Sequence, residues 1–254
     1  MRRREVITLL SGAAAWPLAV RAQQLKEPLI GLLSAGAAGA STHLLTVFRQ
    51  SLAEAGYVEG RNVAIEYHYA EGQYDRLPAM ASDLVRREVA VIVAAGGTAP
   101  ALAAKAATAT IPIVFSVTDD PVALGLVASF ARPGGNATGI NFPLAELAAK
   151  QLGLLHELVP AARRIGLLVN PNNSPSEAVK KDVMVAASAI GIEISVVEAD
   201  SSRAIDTAFA TLVHNRAEAL LIGTDPFLFG RRVQLATLAA RHAIPRLIRV
   251  SSRK

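Results

Sequence analysis

The sequence predicts an α/β protein of two lobes, each built on a parallel sheet. Apolar runs of strand length alternate along the chain with segments of helical spacing. Most of those runs are continuously apolar, which is how parallel strands covered on both faces read. Between Arg132 and Gly139 the turn-rich sequence Arg-Pro-Gly-Gly-Asn-Ala-Thr-Gly interrupts the alternation, which restarts at about Pro143. Lobes of roughly 26–142 and 143–254 fit this better than one continuous sheet.

The first element is an address. Arg2, Arg3 and Arg4 precede an apolar stretch from Val6 to Val20, and Val20-Arg21-Ala22 offers a small residue before a cleavage point. The stretch is too short and too rich in Gly and Ala for a membrane span of about 20 residues. Arg3-Arg4-Glu5-Val6-Ile7 also has the twin-arginine layout of a pair, a spacer and two apolar residues. Residues 1–22 are therefore expected to be a cleavable export signal and the mature chain periplasmic. A basic, frayed helix on a cytosolic protein is the plainer alternative. The only tryptophan, Trp16, lies in that segment.

In the first lobe the strand runs are Leu29–Ser34, Val63–Ala70, Ala90–Ala95 and Ile113–Ser116. The helical segments between them are Leu44–Ala55, Arg76–Arg87 and Ala99–Thr108. Val63–Ala70 alternates more than the others, so it belongs near a sheet edge. The second lobe reads as helix Glu146–Leu158, strand Ile165–Asn170, helix Glu177–Ile190 and strand Ile192–Glu198. Helix Ala204–His214, strand Ala219–Thr224 and helix Arg231–His242 follow. Gly56 and Gly191 stand where helix C-termini take a left-handed residue. Thr42, Thr98 and Ser176 stand where N-caps belong.

Composition narrows the function classes. At 254 residues, 52% hydrophobic and mean hydropathy +0.34, the chain can bury a sizeable core. Zero cysteines exclude disulfides, thiolate zinc sites and a thiol nucleophile. The pI of about 9.8 suggests nucleic acid, but the charge lies at the ends. Residues 1–22 carry +3 and residues 246–254 carry +4, which leaves −2 of the formal +5 for residues 23–245. No nucleic-acid partner is expected. No G-x-G-x-x-G, P-loop, G-x-S-x-G or H-E-x-x-H occurs, and the scattered His43, His68, His156, His214 and His242 lack metal-ligand spacing. Neither cofactor nor metal is expected.

The chemistry-bearing residues sit at strand ends. Ala94-Ala95-Gly96-Gly97-Thr98-Ala99-Pro100 joins a buried strand to a helix. Two glycines let backbone approach a ligand, Thr98 supplies a hydroxyl, and the helix start offers free N–H groups, which together suit a carboxylate. An ordinary capped helix start is the bland alternative. In Ser116-Val117-Thr118-Asp119-Asp120-Pro121, paired carboxylates beside hydroxyls could hold an ammonium group. Asp120 could equally cap a helix begun by Pro121, which leaves Asp119 the freer group. Asn170-Pro171-Asn172-Asn173 and Thr224-Asp225-Pro226-Phe227 occupy equivalent ends in the second lobe. Ligands of open α/β sheets bind outside the carboxyl ends of strands, so these loops converge by topology. The candidate ligand-binding residues are Ser34, Gly97, Thr98, Ala99, Thr118, Asp119, Asn170 and Asp225. No nucleophile–base constellation marks an enzyme, although Asp119 and Asp225 keep a glycoside-type carboxylate pair conceivable.

Arg3-Arg4-Glu5 with Gln23-Gln24, the run Gly60–Pro78, and Asp120-Pro121-Val122 through Asn136 resemble the ABC-transporter substrate-binding proteins that include tryptophan and tyrosine binders. The resemblance implies a type I periplasmic-binding fold, with two Rossmann-like lobes, a hinge and a ligand cleft between them. It also implies an amino-acid-like or other small ligand, here expected to bear a carboxylate, and a membrane partner, an ABC permease with its ATPase; a monomer is expected. After Ala243-Ile244-Pro245 the chain departs from the family. Its basic tail, residues 246–254, resembles out-of-frame read-through, so the second lobe is expected to be incomplete and the tail to add little beyond Leu247-Ile248. A genuine short variant with a solvated tail is the alternative. A shortened chain is expected to expose apolar surface. Other readings are a sensory or regulatory α/β module, an exported hydrolase, or a non-functional truncated copy.

Overall fold

The computed structural model describes residues 27–40, 42–142 and 145–247, so the expected export signal, residues 1–22, and the end of the basic tail lie outside the described residues. The first lobe runs β1 (Leu29–Ser34), α1 (Thr42–Glu54), β2 (Ala64–Tyr69), a 3-10 turn (Tyr74–Arg76), α2 (Leu77–Arg86), β3 (Val91–Ala95), α3 (Thr98–Ala107), β4 (Ile113–Val117) and β5 (Ala137–Asn141). The second runs α4 (Ala145–Leu158), β6 (Arg164–Val169), α5 (Ser176–Ala189), β7 (Glu193–Glu198), α6 (Ser202–His214), β8 (Ala219–Ile222), α7 (Pro226–Gly230), α8 (Arg232–Arg241) and β9 (Arg246–Leu247).

Every named strand pairing is parallel, in the orders β2-β1-β3-β4-β5 and β7-β6-β8-β9. Both sheets therefore reverse their winding beside their first strand, between β1 and β3 and between β6 and β8. The alternating run around Val63 is an edge strand, with every residue of β2 half-buried.

The first core fills the space between its sheet and α2 and α3, around Leu33, Leu77, Leu84, Ile92, Ile113 and Phe115. Each such side chain contributes about 1.5–3 kcal/mol on burial. Among the described residues the opposite face is sparsely covered. Helix α1 has no buried residue, and Val114 and Ile140 are 43% and 57% exposed. In the second lobe both faces are packed: Phe209, Leu212 and Leu235 on one, Leu152, Leu155 and Val183 on the other.

Several expectations are corrected. The turn-rich stretch ends in strand β5, which pairs with β4 from Ala137 to Asn141. Its Gly139 lies so close to Phe115 that an added Cβ would sit 2.6 Å from the ring, which explains a glycine there. Thr98 and Ser176 begin their helices behind caps at Gly97 and Pro175. Their hydroxyls bond elsewhere, Ser176 donating to the carbonyl of Asn170 at 2.5 Å. Thr42 opens α1 and donates to Gly39 O at 2.9 Å. Pro121 begins only a turn, and Asp120 accepts from the N–H of Val122 at 2.8 Å. The helix expected from Arg231 is preceded by a separate short one, α7, capped by Asp225. The basic tail enters the sheet one residue earlier than expected: Arg246 and Leu247 pair with Leu220 and Leu221. A ladder uses backbone groups, so Arg246 can stay exposed while Leu247 packs on the second lobe's core.

Candidate functional site

Loops leaving adjacent strands in opposite directions open a crevice at the carboxyl ends of a sheet. In the first lobe that crevice lies between β1 and β3. Ser34 closes β1 in register with Ala95, and its Oγ accepts from Gly36 N at 3.2 Å. Gly96 and Gly97 have φ of +81° and +112°, and a Cβ on Gly96 would sit 3.1 Å from Ser34 Oγ. Both positions therefore suit glycine, and α3 starts directly behind them.

Thr98 is fully buried, and its Oγ1 donates to Asp119 Oδ2 at 2.5 Å. The backbone N–H of Thr118 donates to the same hydroxyl at 3.4 Å, and the Thr118 hydroxyl lies 3.3 Å from it. Ala99 follows in the first turn of α3, where backbone N–H groups have no partner within the helix. Ser34, Gly97, Thr98, Ala99, Thr118 and Asp119 thus gather at one sheet end. Asp119 also supplies negative charge beside the helix start, which offsets part of the attraction for a free anion.

The second lobe repeats the arrangement between β6 and β8. Asn170 is fully buried; its Oδ1 accepts from Asn172 N at 3.0 Å and its Nδ2 donates to Asp225 Oδ2 at 3.2 Å. Asp225 is 3% exposed. Its Oδ1 accepts from Leu228 N at 2.7 Å, capping α7. Oδ2 also accepts from the phenol of Tyr74, in the first lobe, at 2.6 Å. Burial pushes the Asp225 carboxyl above its ordinary value, while these hydrogen bonds oppose the rise. Burial, and then the neighbouring Asp225, hold the Tyr74 phenol well above its usual range. Asn173 donates to Thr224 O at 3.1 Å and ties the two loops together.

Sequence reasoning missed Tyr74 and Gly72, both in the loop after β2. The strand-end rule pointed at that loop as much as at its neighbours, and its residues served only the family resemblance. A small cavity of about 10 Å³ lies between Asn170, Ser176 and Asp225, roughly room for one water. A wider groove of about 650 Å³ opens at the amino ends of β4 and β5, beside Pro112 and Asn136. It therefore lies at the opposite end of the first sheet from the crevice between β1 and β3.

Glu66, His68 and Asp83 bring ligand-type atoms within 4.8 Å of one another. Two guanidinium groups already claim their oxygens: Arg87 Nε lies 3.1 Å from Glu66 and 2.8 Å from Asp83, and Arg86 contacts Asp83 at 2.5 Å. Those hydrogen bonds, Arg87 foremost, lower the Asp83 carboxyl below its ordinary value. The cluster reads as an ion-pair network. Among the described residues no helix is long and apolar enough to cross a membrane.

Comparison with known proteins agrees with this geometry. Residues 40–245 match the family described as ABC transporter substrate binding protein. A tyrosine-binding protein of Clostridioides difficile is 29% identical over 198 residues, covering 78% of this chain. The chain spans 56% of that relative's length. A conserved domain protein from Vibrio cholerae superposes with a TM-score of 0.76 at 24% identity, covering 87% of this chain and 73% of that one. An ABC domain from Streptococcus pneumoniae in complex with L-Trp gives 0.75 at 21% identity, covering 89% and 75%. Two parallel α/β sheets with facing strand-end crevices are the type I periplasmic-binding architecture, and the chain belongs to the ABC transporter substrate-binding protein family.

Proposed function

We propose that this chain is the extracytoplasmic solute-binding component of an ABC importer and that it recognises a small α-amino-acid-like zwitterion. The observation that carries the reading is the Thr98–Asp119 pair at the start of α3. Backbone N–H groups around Gly97, Thr98 and Ala99 suit a carboxylate, and Asp119 beside them suits an ammonium. An α-amino acid carries both groups on neighbouring atoms, so one ligand satisfies both halves. A simple carboxylate would meet Asp119 with no compensating charge.

Ser34 and Thr118 line the same crevice and add hydroxyls, while Asn170 and Asp225 act from the second lobe. The tyrosine-binding relative and the L-Trp complex support an aromatic amino acid as the solute. The chain itself performs no chemistry and hands the solute to a membrane permease. Export by residues 1–22, a periplasmic location and a monomeric state belong to the same reading.

Isothermal titration of the purified chain with L-tyrosine, L-tryptophan and L-leucine, against their deaminated analogues, tests it. Binding of an amino acid with loss of affinity for its deaminated analogue is expected. Equal affinity for the two, or no binding by a folded sample, would overturn it.

A further inference from the structure

We infer that Tyr74 and Asp225 form a latch between the lobes, and that Tyr74 is a positioning residue for solute binding. It holds the second lobe over the cleft without touching the solute. The two residues lie 151 positions apart, one in the 3-10 turn after β2 and the other at the start of α7, and meet at 2.6 Å.

Asp225 is already fully employed. One oxygen caps α7 through Leu228 N, and the other accepts from both Tyr74 and Asn170. At 3% exposure the carboxylate has no face left for a solute, so its part in binding runs through the phenol that reaches it. Hydrogen bonds to a carboxylate are roughly twice as strong as neutral ones, which suits a single contact between lobes.

Backbone packing next to the bond has the same purpose. Gly72 has φ of +83°, and a Cβ there would lie 2.6 Å from Phe227 Cβ. Only glycine lets the loop after β2 seat against α7. A Cβ on Gly36, after β1, would lie 4.0 Å from Pro226, so a second loop of the first lobe borders the same corner.

The solute half of this inference rests on the proposed function; the latch does not. The chain has no cysteine, so Ser82→Cys on α2 and Ser188→Cys on α5, both exposed, give a unique spin-label pair on the full chain. Pulsed dipolar spectroscopy without solute should show a longer and broader interlobe distance in both Tyr74→Phe and Gly72→Ala than in the labelled parent. Tyr74→Phe breaks the bond and keeps the ring; Gly72→Ala wedges the seat and keeps the bond. With L-tyrosine, Tyr74→Phe should speed dissociation about tenfold while association changes less than about threefold. Unchanged distances in both variants would overturn the latch. Longer distances with unchanged dissociation would overturn the positioning role. A parent that binds no amino acid refutes the solute reading and its positioning corollary, while the distances still decide the latch.

Discussion

Thr98 and Asp119 meet at 2.5 Å across the carboxyl ends of β3 and β4, hydroxyl to carboxylate, with the hydroxyl buried. Thr98→Val keeps the shape and removes the donor, so Asp119 loses the partner that orients it. Amino-acid affinity should fall about tenfold or more, on the scale of a hydrogen bond to a charged group. Asp119→Asn should cost more against an amino acid than against its deaminated analogue. Titration calorimetry with both ligands reads the difference, and equal losses for the two would sink the ammonium assignment.

Asp225 makes stability depend on pH in an unusual direction. Its folded carboxyl is raised above the ordinary 3.8, chiefly by burial, so the folded state holds the proton more tightly than the unfolded one. The contribution is fully present below that ordinary value and is lost as pH rises through the raised one. Urea unfolding of the parent and Asp225→Asn across pH 4 to 8 should show the parent losing ground to the variant as pH rises. A difference that stays flat would show that Asp225 titrates as it does in the unfolded chain.

Glu218 behaves in the opposite sense. It accepts from the backbone N–H groups of Arg163 and Arg164 at 2.6 and 3.0 Å, which lowers its carboxyl below the ordinary 4.5. Stability from this clamp is present above that value and lost as pH falls through the lowered one. Glu218→Gln should therefore lower the melting temperature at pH 7 and lose its effect in acid. Melting curves at both pH values check this, and a penalty that persists in acid would point to packing instead.

Much of this architecture is legible in the sequence because parallel strands covered by helices are continuously apolar. Leu29–Ser34 and Glu193–Glu198 have the expected C-terminal bounds, and Ala219–Ile222 ends within the expected run. Strand β5 escaped because its residues, Ala-Thr-Gly-Ile-Asn, include turn formers and three exposed positions; its glycine answers to Phe115, on the neighbouring strand. Thr98 and Asp119 could be brought together by topology alone, since their strands are adjacent. Tyr74 and Asp225 could not: they lie on different lobes, and no local pattern marks a phenol that will cap a distant carboxylate.

The face of the first sheet left open among the described residues predicts self-association. Val114 and Ile140 lie on neighbouring strands, β4 and β5, and both are exposed, with Phe142 following at 51%. Contiguous apolar surface at a sheet edge is an aggregation liability, and an edge lysine blunts it. Ile140→Lys should raise the concentration at which light scattering appears, with little change in unfolding midpoint. Unaltered scattering would locate the sticky surface elsewhere.

Two glycines should respond oppositely to the same substitution. At Gly139 an added methyl would meet Phe115 O at 2.1 Å and the Phe115 ring at 2.6 Å, and backbone cannot yield as a side chain tip does. Gly139→Ala must push β5 from β4 or move Phe115 in the core, an overpacking cost of about 1–3 kcal/mol. At Gly153, inside α4, a Cβ meets nothing within 4 Å, so Gly153→Ala should stabilise by up to about 1 kcal/mol through lower helix cost. Strand β5 is also the last element of the first lobe before α4, so displacing it should disturb solute affinity as well as stability. Urea midpoints moving down for Gly139→Ala and up for Gly153→Ala, with affinity reduced only in the first, are the expected pattern. If Gly139→Ala unfolds at the parent's midpoint, the close pairing of β5 with β4 is wrong.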